Sequence, residues 1–143
     1  MRLSVIVVNW NLQEELAACL DSLRLQSHPE LEVIVVDNGS HDGSAALVQN
    51  SYPECTLVAE SENLGFAEGC NRGIAVATGD WIAMLNNDAV ADPTWAAELM
   101  KAAETGADRV GMLQSLMLFK QRPDTTTSRH LPEAPETHGS RTP

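Results

Sequence analysis

Four short apolar runs, Leu3 to Val8, Leu31 to Val36, Cys55 to Ala59 and Trp81 to Leu85, constrain this chain more than any other feature. Each is too short for a stable helix. The first two are rich in β-branched residues without polar alternation, as expected of strands covered on both faces. Three of the runs stop at groups of amides and carboxylates: Asn9-Trp10-Asn11, Asp37-Asn38-Gly39-Ser40 and Asn86-Asn87-Asp88.

The segments between the runs have helical periodicity. Leu12, Leu16, Cys19, Leu20 and Leu23 define one amphipathic helix, with Asn11 and Glu14 spaced as a capping-box-like start. Asp42 is placed to N-cap a second helix through Ala45, Leu47 and Val48. Phe66, Cys70, Ile74 and Ala77 form an apolar stripe on a third, where Gly69 and Gly73 permit close backbone packing and Glu68, Asn71 and Arg72 lie opposite. Asp92-Pro93 opens a fourth, using Trp95, Leu99 and Ala103 and stopping at Gly106. Val110 to Phe119 is a candidate fifth strand. Strand alternating with helix predicts an α/β, Rossmann-like parallel sheet with flanking helices, and such sheets bind ligands beyond the carboxyl ends of their strands.

A chain of 143 residues has room for one ordinary domain. The folded part is expected over residues 1–120. Four of the seven prolines fall beyond Lys120 in a stretch nearly free of apolar residues, so 121–143 is expected to be a disordered tail. No apolar run approaches a membrane span and no signal peptide is evident, which predicts a cytoplasmic protein, at most peripheral to the inner membrane. The three cysteines lack ligand spacing and read as small core residues rather than a zinc site.

The net charge of −11 argues against nucleic acid as a partner. Between Arg24 and Lys101 the only Lys or Arg is Arg72, against twelve Asp and Glu. An anionic ligand would therefore depend on a divalent cation, backbone N–H groups and that arginine. Individually these features are weak. Asn-Asn-Asp after a strand is ordinary turn chemistry, and Arg72 at i,i+4 from Glu68 is an ordinary surface pair.

Taken in order, SVIVVNWN, VIVVDNGSHDGS and NLGFAEGCNRGIAVATGDWIAMLNNDA resemble the nucleotide-sugar-binding part of family-two glycosyltransferases of the GT-A fold, closest to the rhamnosyltransferase-like bacterial branch. The likeness runs from Leu3 to Phe119, and several motifs in order are far more specific than one. It implies a transfer from a nucleoside diphosphate sugar, UDP- or dTDP-linked, to a saccharide or lipid-linked acceptor in bacterial polysaccharide synthesis. Carried over by position, it makes Val8, Asn9 and Trp10 the wall of a nucleobase pocket and Asp37 the acceptor of the base's imide N–H. Asn71 and Arg72 border the nucleotide. Asn86, Asn87 and Asp88 stand at the family's Asp-x-Asp motif, with Asp88 the ligand of Mg²⁺ or Mn²⁺. Asn86 replaces the first aspartate and removes one charge.

Inverting members resemble one another in using a later carboxylate, often in a Glu-Asp pair, as base. After Asp88 no such pair stands in a family-like context, so the catalytic base and the acceptor-binding half are expected to be missing, as in a truncated chain. A nucleotide-binding module derived from a glycosyltransferase is the alternative. A phosphoacceptor domain ranks last, because no lysine precedes Lys101.

Overall fold

The structure is a computed structural model and describes residues 1–106 and 110–118. Strands β1 (Leu3–Asn9), β2 (Leu31–Asn38), β3 (Thr56–Glu60) and β4 (Trp81–Met84) alternate with helices α1 (Gln13–Arg24), α2 (Ser44–Ser51), α3 (Phe66–Val76) and α4 (Trp95–Thr105). The four strands form one parallel sheet in the order β3-β2-β1-β4. The expected α/β architecture is therefore present, with the β-branched runs of β1 and β2 at its centre, where both faces are covered.

Alternation along β1 divides the core. Leu3, Val5 and Val7 pack with Leu16, Cys19, Leu20 and Leu23 of α1, with Val48 of α2 and with Ala96, Met100 and Ala103 of α4. Ile6, with Ile34 and Val36 of β2, forms the smaller core on the other face. There α3 lies so close that a Cβ on Gly73 would stand 2.5 Å from Ile6 Cγ2, and one on Gly69 2.8 Å from Val8 Cγ1. The expected close approach at these glycines holds.

Several local expectations change. The buried face of α3 is Gly69, Cys70 and Gly73, while Phe66 and Ile74 are exposed. The helix is rotated toward its small residues because only they let it settle onto β1 and β2. Among the described residues β4 is an edge strand of the sheet. Trp81, Ala83 and Leu85 join the larger core, but Ile82 and Met84 are exposed on the face that α3 does not reach.

No capping box starts α1. Its N-cap is Leu12, and Asn11, at φ 52°, uses its Oδ1 to accept the His41 N–H instead. The carboxylate of Asp42 accepts the N–H groups of Gln13 and Ser44, the first residues of α1 and α2, so one side chain ties two helix starts together. The N-cap position of α2 is Gly43 and that of α4 is Thr94, each later than the aspartate expected there. Residues 110–118 form no strand, and Met112, Leu116, Met117 and Leu118 are exposed. Their backbone finds no partner at the β4 edge. The remainder of that expected strand, Phe119, and the expected tail over 121–143 lie outside the described residues.

Candidate functional site

The registers place the site. β1 pairs with β2 so that Asn9 lies beside Asp37, and with β4 so that Ile6 lies beside Met84. Continued three residues past Met84, the second register brings Asn87 opposite Asn9. Parallel neighbours in one row project to the same face. Three polar side chains from three separate sequence motifs thus form a line across the carboxyl end of the sheet.

They are hydrogen-bonded in series. Asn9 Nδ2 donates to Asp37 Oδ1 at 3.2 Å and to Ser40 Oγ at 3.3 Å. Asn87 Nδ2 donates to Asn9 Oδ1 at 2.8 Å. The other oxygen of Asp37 accepts the Ser40 N–H at 3.1 Å. Asn9 is fully buried and Asp37 is 3% exposed, so this carboxylate lies beneath the surface with both oxygens engaged.

Above the row opens a cleft of about 240 Å³ lined by Val8, Asn9, Trp10, Leu12, Asn38, Asn63, Phe66 and Asn87. Trp10 and Phe66 are 52% and 58% exposed, unusual for large aromatics, and offer flat apolar walls. Leu12 is the N-cap of α1 and Phe66 the first residue of α3, so two helices begin beside the cleft.

Asn38 and the loop after β3 close one side. Asn38 Nδ2 donates to Asn63 Oδ1 at 3.0 Å and to the Gly65 carbonyl at 3.1 Å, while its Oδ1 accepts the Leu64 N–H at 3.0 Å. The approach is tight. Gly39 has φ +73°, and a Cβ there would meet the Glu62 backbone at 2.7 Å. Only glycine accommodates both the left-handed backbone and the contact.

Of the residues singled out from sequence, Val8, Asn9, Trp10 and Asn87 line the cleft, and Asp37 supports it from below. Asn86 is exposed, and its carbonyl accepts from the Cys19 thiol at 3.6 Å. Burial, then the negative charge of Asp88 and the neighbouring Cys55, pushes that thiol up to about 12, so it stays protonated and able to donate. Asp88 is exposed at the turn that follows. Asn71 and Arg72 are not among the lining residues. Arg72 Nε lies 3.1 Å from Glu68 and 3.6 Å from Glu60, and Asn71 donates to Glu68 at 3.4 Å. Both lie on the outer face of α3, as its periodicity predicts. Sequence reasoning passed over Leu12, Asn38, Asn63 and Phe66. The available signal was Asn63-Leu-Gly-Phe66, a turn opening a helix directly after a strand.

Among the described residues no group of three His, Cys, Asp or Glu could hold a metal. The donors at the β4 end are the Asp88 carboxylate and amide oxygens of its neighbours. Such hard oxygen donors fit Mg²⁺ or Mn²⁺ where phosphates supply the remaining ligands, and do not form a closed protein cage. No helix among the described residues is long and apolar enough to cross a membrane.

A parallel sheet with amides and a carboxylate gathered beyond its strand ends, beside a cleft lined by two aromatics, defines a Rossmann-like α/β architecture with a candidate ligand site where such sheets bind. The chain belongs to glycosyl transferase family 2, whose sequence model matches residues 4–136. It is 31% identical over 119 residues to an uncharacterized glycosyltransferase, alr2836, of Nostoc, covering 81% of this chain and 37% of that protein. It is 34% identical over 105 residues to the uncharacterized glycosyltransferase YibD of Escherichia coli, covering 71% of this chain and 30% of the relative. The chain thus spans only a minor part of the length of these relatives.

Among solved structures, it resembles the mannosyltransferase PcManGT of Pyrobaculum calidifontis in complex with GDP-Man and Mn²⁺, with a TM-score of 0.59 and 34% identity over 62% of this chain and 28% of the other. It also resembles S. aureus TarS 1-349 in complex with UDP-GlcNAc, with a TM-score of 0.63 and 26% identity over 76% and 32%. The GT-A expectation from the sequence motifs agrees with both.

Proposed function

We infer that this chain carries the donor side of a glycosyltransferase, a site for a nucleoside diphosphate sugar that works with a divalent cation. The observation that carries this reading is the cleft between Trp10 and Phe66, placed at the carboxyl ends of the strands and beside Asn86-Asn87-Asp88. A base fits between aromatic walls, and the diphosphate then extends toward the β4 end. The nucleotide sugars in the PcManGT and TarS complexes, and the Mn²⁺ in the former, support the same assignment.

Asp88 would hold the metal, with Asn86 the amide in place of a second carboxylate. A bound Mg²⁺ or Mn²⁺ neutralises the diphosphate leaving group. With one carboxylate the ion should bind together with the nucleotide rather than ahead of it. Asn71 and Arg72 border the nucleotide in this proposal only if Arg72 leaves Glu68 and Glu60, and the cost is small because surface pairs are weak. The acceptor would be a saccharide or lipid-linked sugar, and inversion follows from family resemblance.

Among the described residues no carboxylate lines the cleft. A missing base typically costs about 10²–10⁴-fold in rate, and unpositioned acceptor costs comparably. The isolated 143-residue chain is therefore expected to bind nucleotide, with slow donor hydrolysis at most and no efficient transfer.

Calorimetry with UDP, dTDP and GDP, with and without Mn²⁺, tests the reading. Binding strengthened by Mn²⁺ in the wild type, with the metal dependence lost in Asp88→Ala, is the expected result. No binding of any nucleotide under either condition would overturn it.

A further inference from the structure

The hydrogen-bond row beneath the cleft has a fixed direction, set by its one carboxylate. Asp37 only accepts, so the Asn9 atom facing it at 3.2 Å must be Nδ2. That leaves Asn9 Oδ1 facing Asn87, and the Asn87 atom meeting it at 2.8 Å must in turn be Nδ2. The Asn87 Oδ1 is the remaining atom. It has no hydrogen-bond partner among the described residues, and no buried side-chain nitrogen or oxygen there lacks one, so this oxygen is reached by solvent. Asn87 lines the cleft.

The other side-chain amide oxygens of the cleft are already committed, that of Asn63 to the Asn38 amide and the Gly65 N–H. Asn38 is bonded at both ends to the 63–65 loop, and Asn9 is bonded at both ends within the row. We propose that Asp37 is a positioning residue that acts through Asn9 to hold Asn87 with its carbonyl oxygen outward, and that this Asn87 oxygen, rather than the Asp37 carboxylate, accepts a hydrogen bond from the nucleoside. This rests on the nucleotide-site reading above. The donor is an imide or lactam N–H of the base or a ribose hydroxyl.

Asp37→Asn probes the direction without changing shape. Its new NH₂ must face either the Ser40 N–H or Asn9 Nδ2, so a donor meets a donor until Asn9 turns over. Turning Asn9 turns Asn87, which then offers NH₂ to the cleft. UDP affinity is measured for the wild type, Asp37→Asn, Asn87→Ala and the double variant, with melting curves to confirm folding. Each single change is expected to weaken binding about tenfold, and the double variant to be no weaker than Asn87→Ala alone. Additive losses would mean that Asp37 meets the base itself and would overturn the proposal.

UDP methylated at N3, 2′-deoxy-UDP and 3′-deoxy-UDP identify the donor. One of the three should lose affinity in the wild type but not in Asn87→Ala, and equal sensitivity of both proteins to each analogue would also overturn the proposal. If the wild type binds no nucleotide, the functional reading and the ligand half of this proposal fall together. The row is then decided by the side-chain amide resonances. A shift of the Asn87 NH₂ signals in Asp37→Asn upholds the coupling, and unmoved signals overturn it.

Discussion

The two ends of this sheet each hold a hydrogen-bonded carboxylate, half-buried at one end and buried at the other, and they use it in opposite ways. At the amino end, Glu32 of β2 accepts from the hydroxyl of Ser4 on β1, from the Thr78 N–H at 2.8 Å, from the Thr78 hydroxyl at 2.9 Å and from Arg2 at 3.0 Å. Ser4 Oγ in turn accepts the Gly79 N–H at 2.8 Å, and Asp80 accepts the Arg2 N–H at 2.9 Å. The result is a knot joining β1, β2 and the entry to β4. At the carboxyl end, Asp37 begins a row that is satisfied inward yet finishes on an unspent Asn87 oxygen, beneath two exposed aromatics. A fully used network serves stability, whereas one left open at its surface end can serve binding.

The sharpest way to break the contrast is Asn9→Leu. It removes the side chain that, among the described residues, links Asp37 to Asn87, and leaves a buried carboxylate short of a donor. A stability loss of about 3 kcal/mol by urea unfolding is expected, because a stranded charged group costs more than a neutral one. Loss of nucleotide binding should accompany it. A loss well under 1 kcal/mol would show that the row is not buried in solution.

Glu32→Gln should cost somewhat less, about 1–3 kcal/mol, and leave UDP affinity unchanged in the folded fraction. The same carboxylate predicts a pH dependence. Burial would raise the Glu32 carboxyl, but the hydrogen bonds from Ser4 and Thr78 and the Arg2 charge outweigh it and hold it below its ordinary value. A depressed carboxylate contributes stability above its unfolded pKa of about 4.3, and that contribution is lost as pH falls through the lower folded value. Denaturation midpoints taken from pH 7 down to 3 should therefore fall more steeply for the wild type than for Glu32→Gln. Parallel curves would remove this role.

Trp10→Ala and Phe66→Ala reverse the pattern. Each should weaken nucleotide binding by about 1–2 kcal/mol through lost stacking, with little change in melting temperature, since half or more of each side chain is already solvated. A large destabilisation without a binding change would make them core residues after all.

Arg72→Ala is the smallest expected effect. Its pairs with Glu68 and Glu60 are exposed, so stability should change by less than about 1 kcal/mol. A nucleotide affinity that falls tenfold while stability holds would bring Arg72 into the site despite its distance from the cleft lining. Unchanged affinity would confine the site to the row and the aromatic walls.

The sequence by itself determined the parallel α/β sheet. β-Branched runs without alternation must be covered on both faces, and the helical periodicities between them supply the cover. It also determined that amides and carboxylates gather at one end of the sheet, because strand ends are legible as the places where apolar runs stop. What it could not determine is anything set by rotation or register. Phe66 sits at helical spacing from Cys70 and reads as core, yet α3 turns its glycines inward, because Ile6 and Val8 leave room for nothing larger, and Phe66 becomes a wall of the cleft. Asp37 reads as a direct ligand, yet pairing beside Asn9 buries its carboxylate beneath the cleft. Each motif specifies its own strand end, but only the pairing of three strands decides which atoms spend their hydrogen bonds on one another and which are left for a ligand.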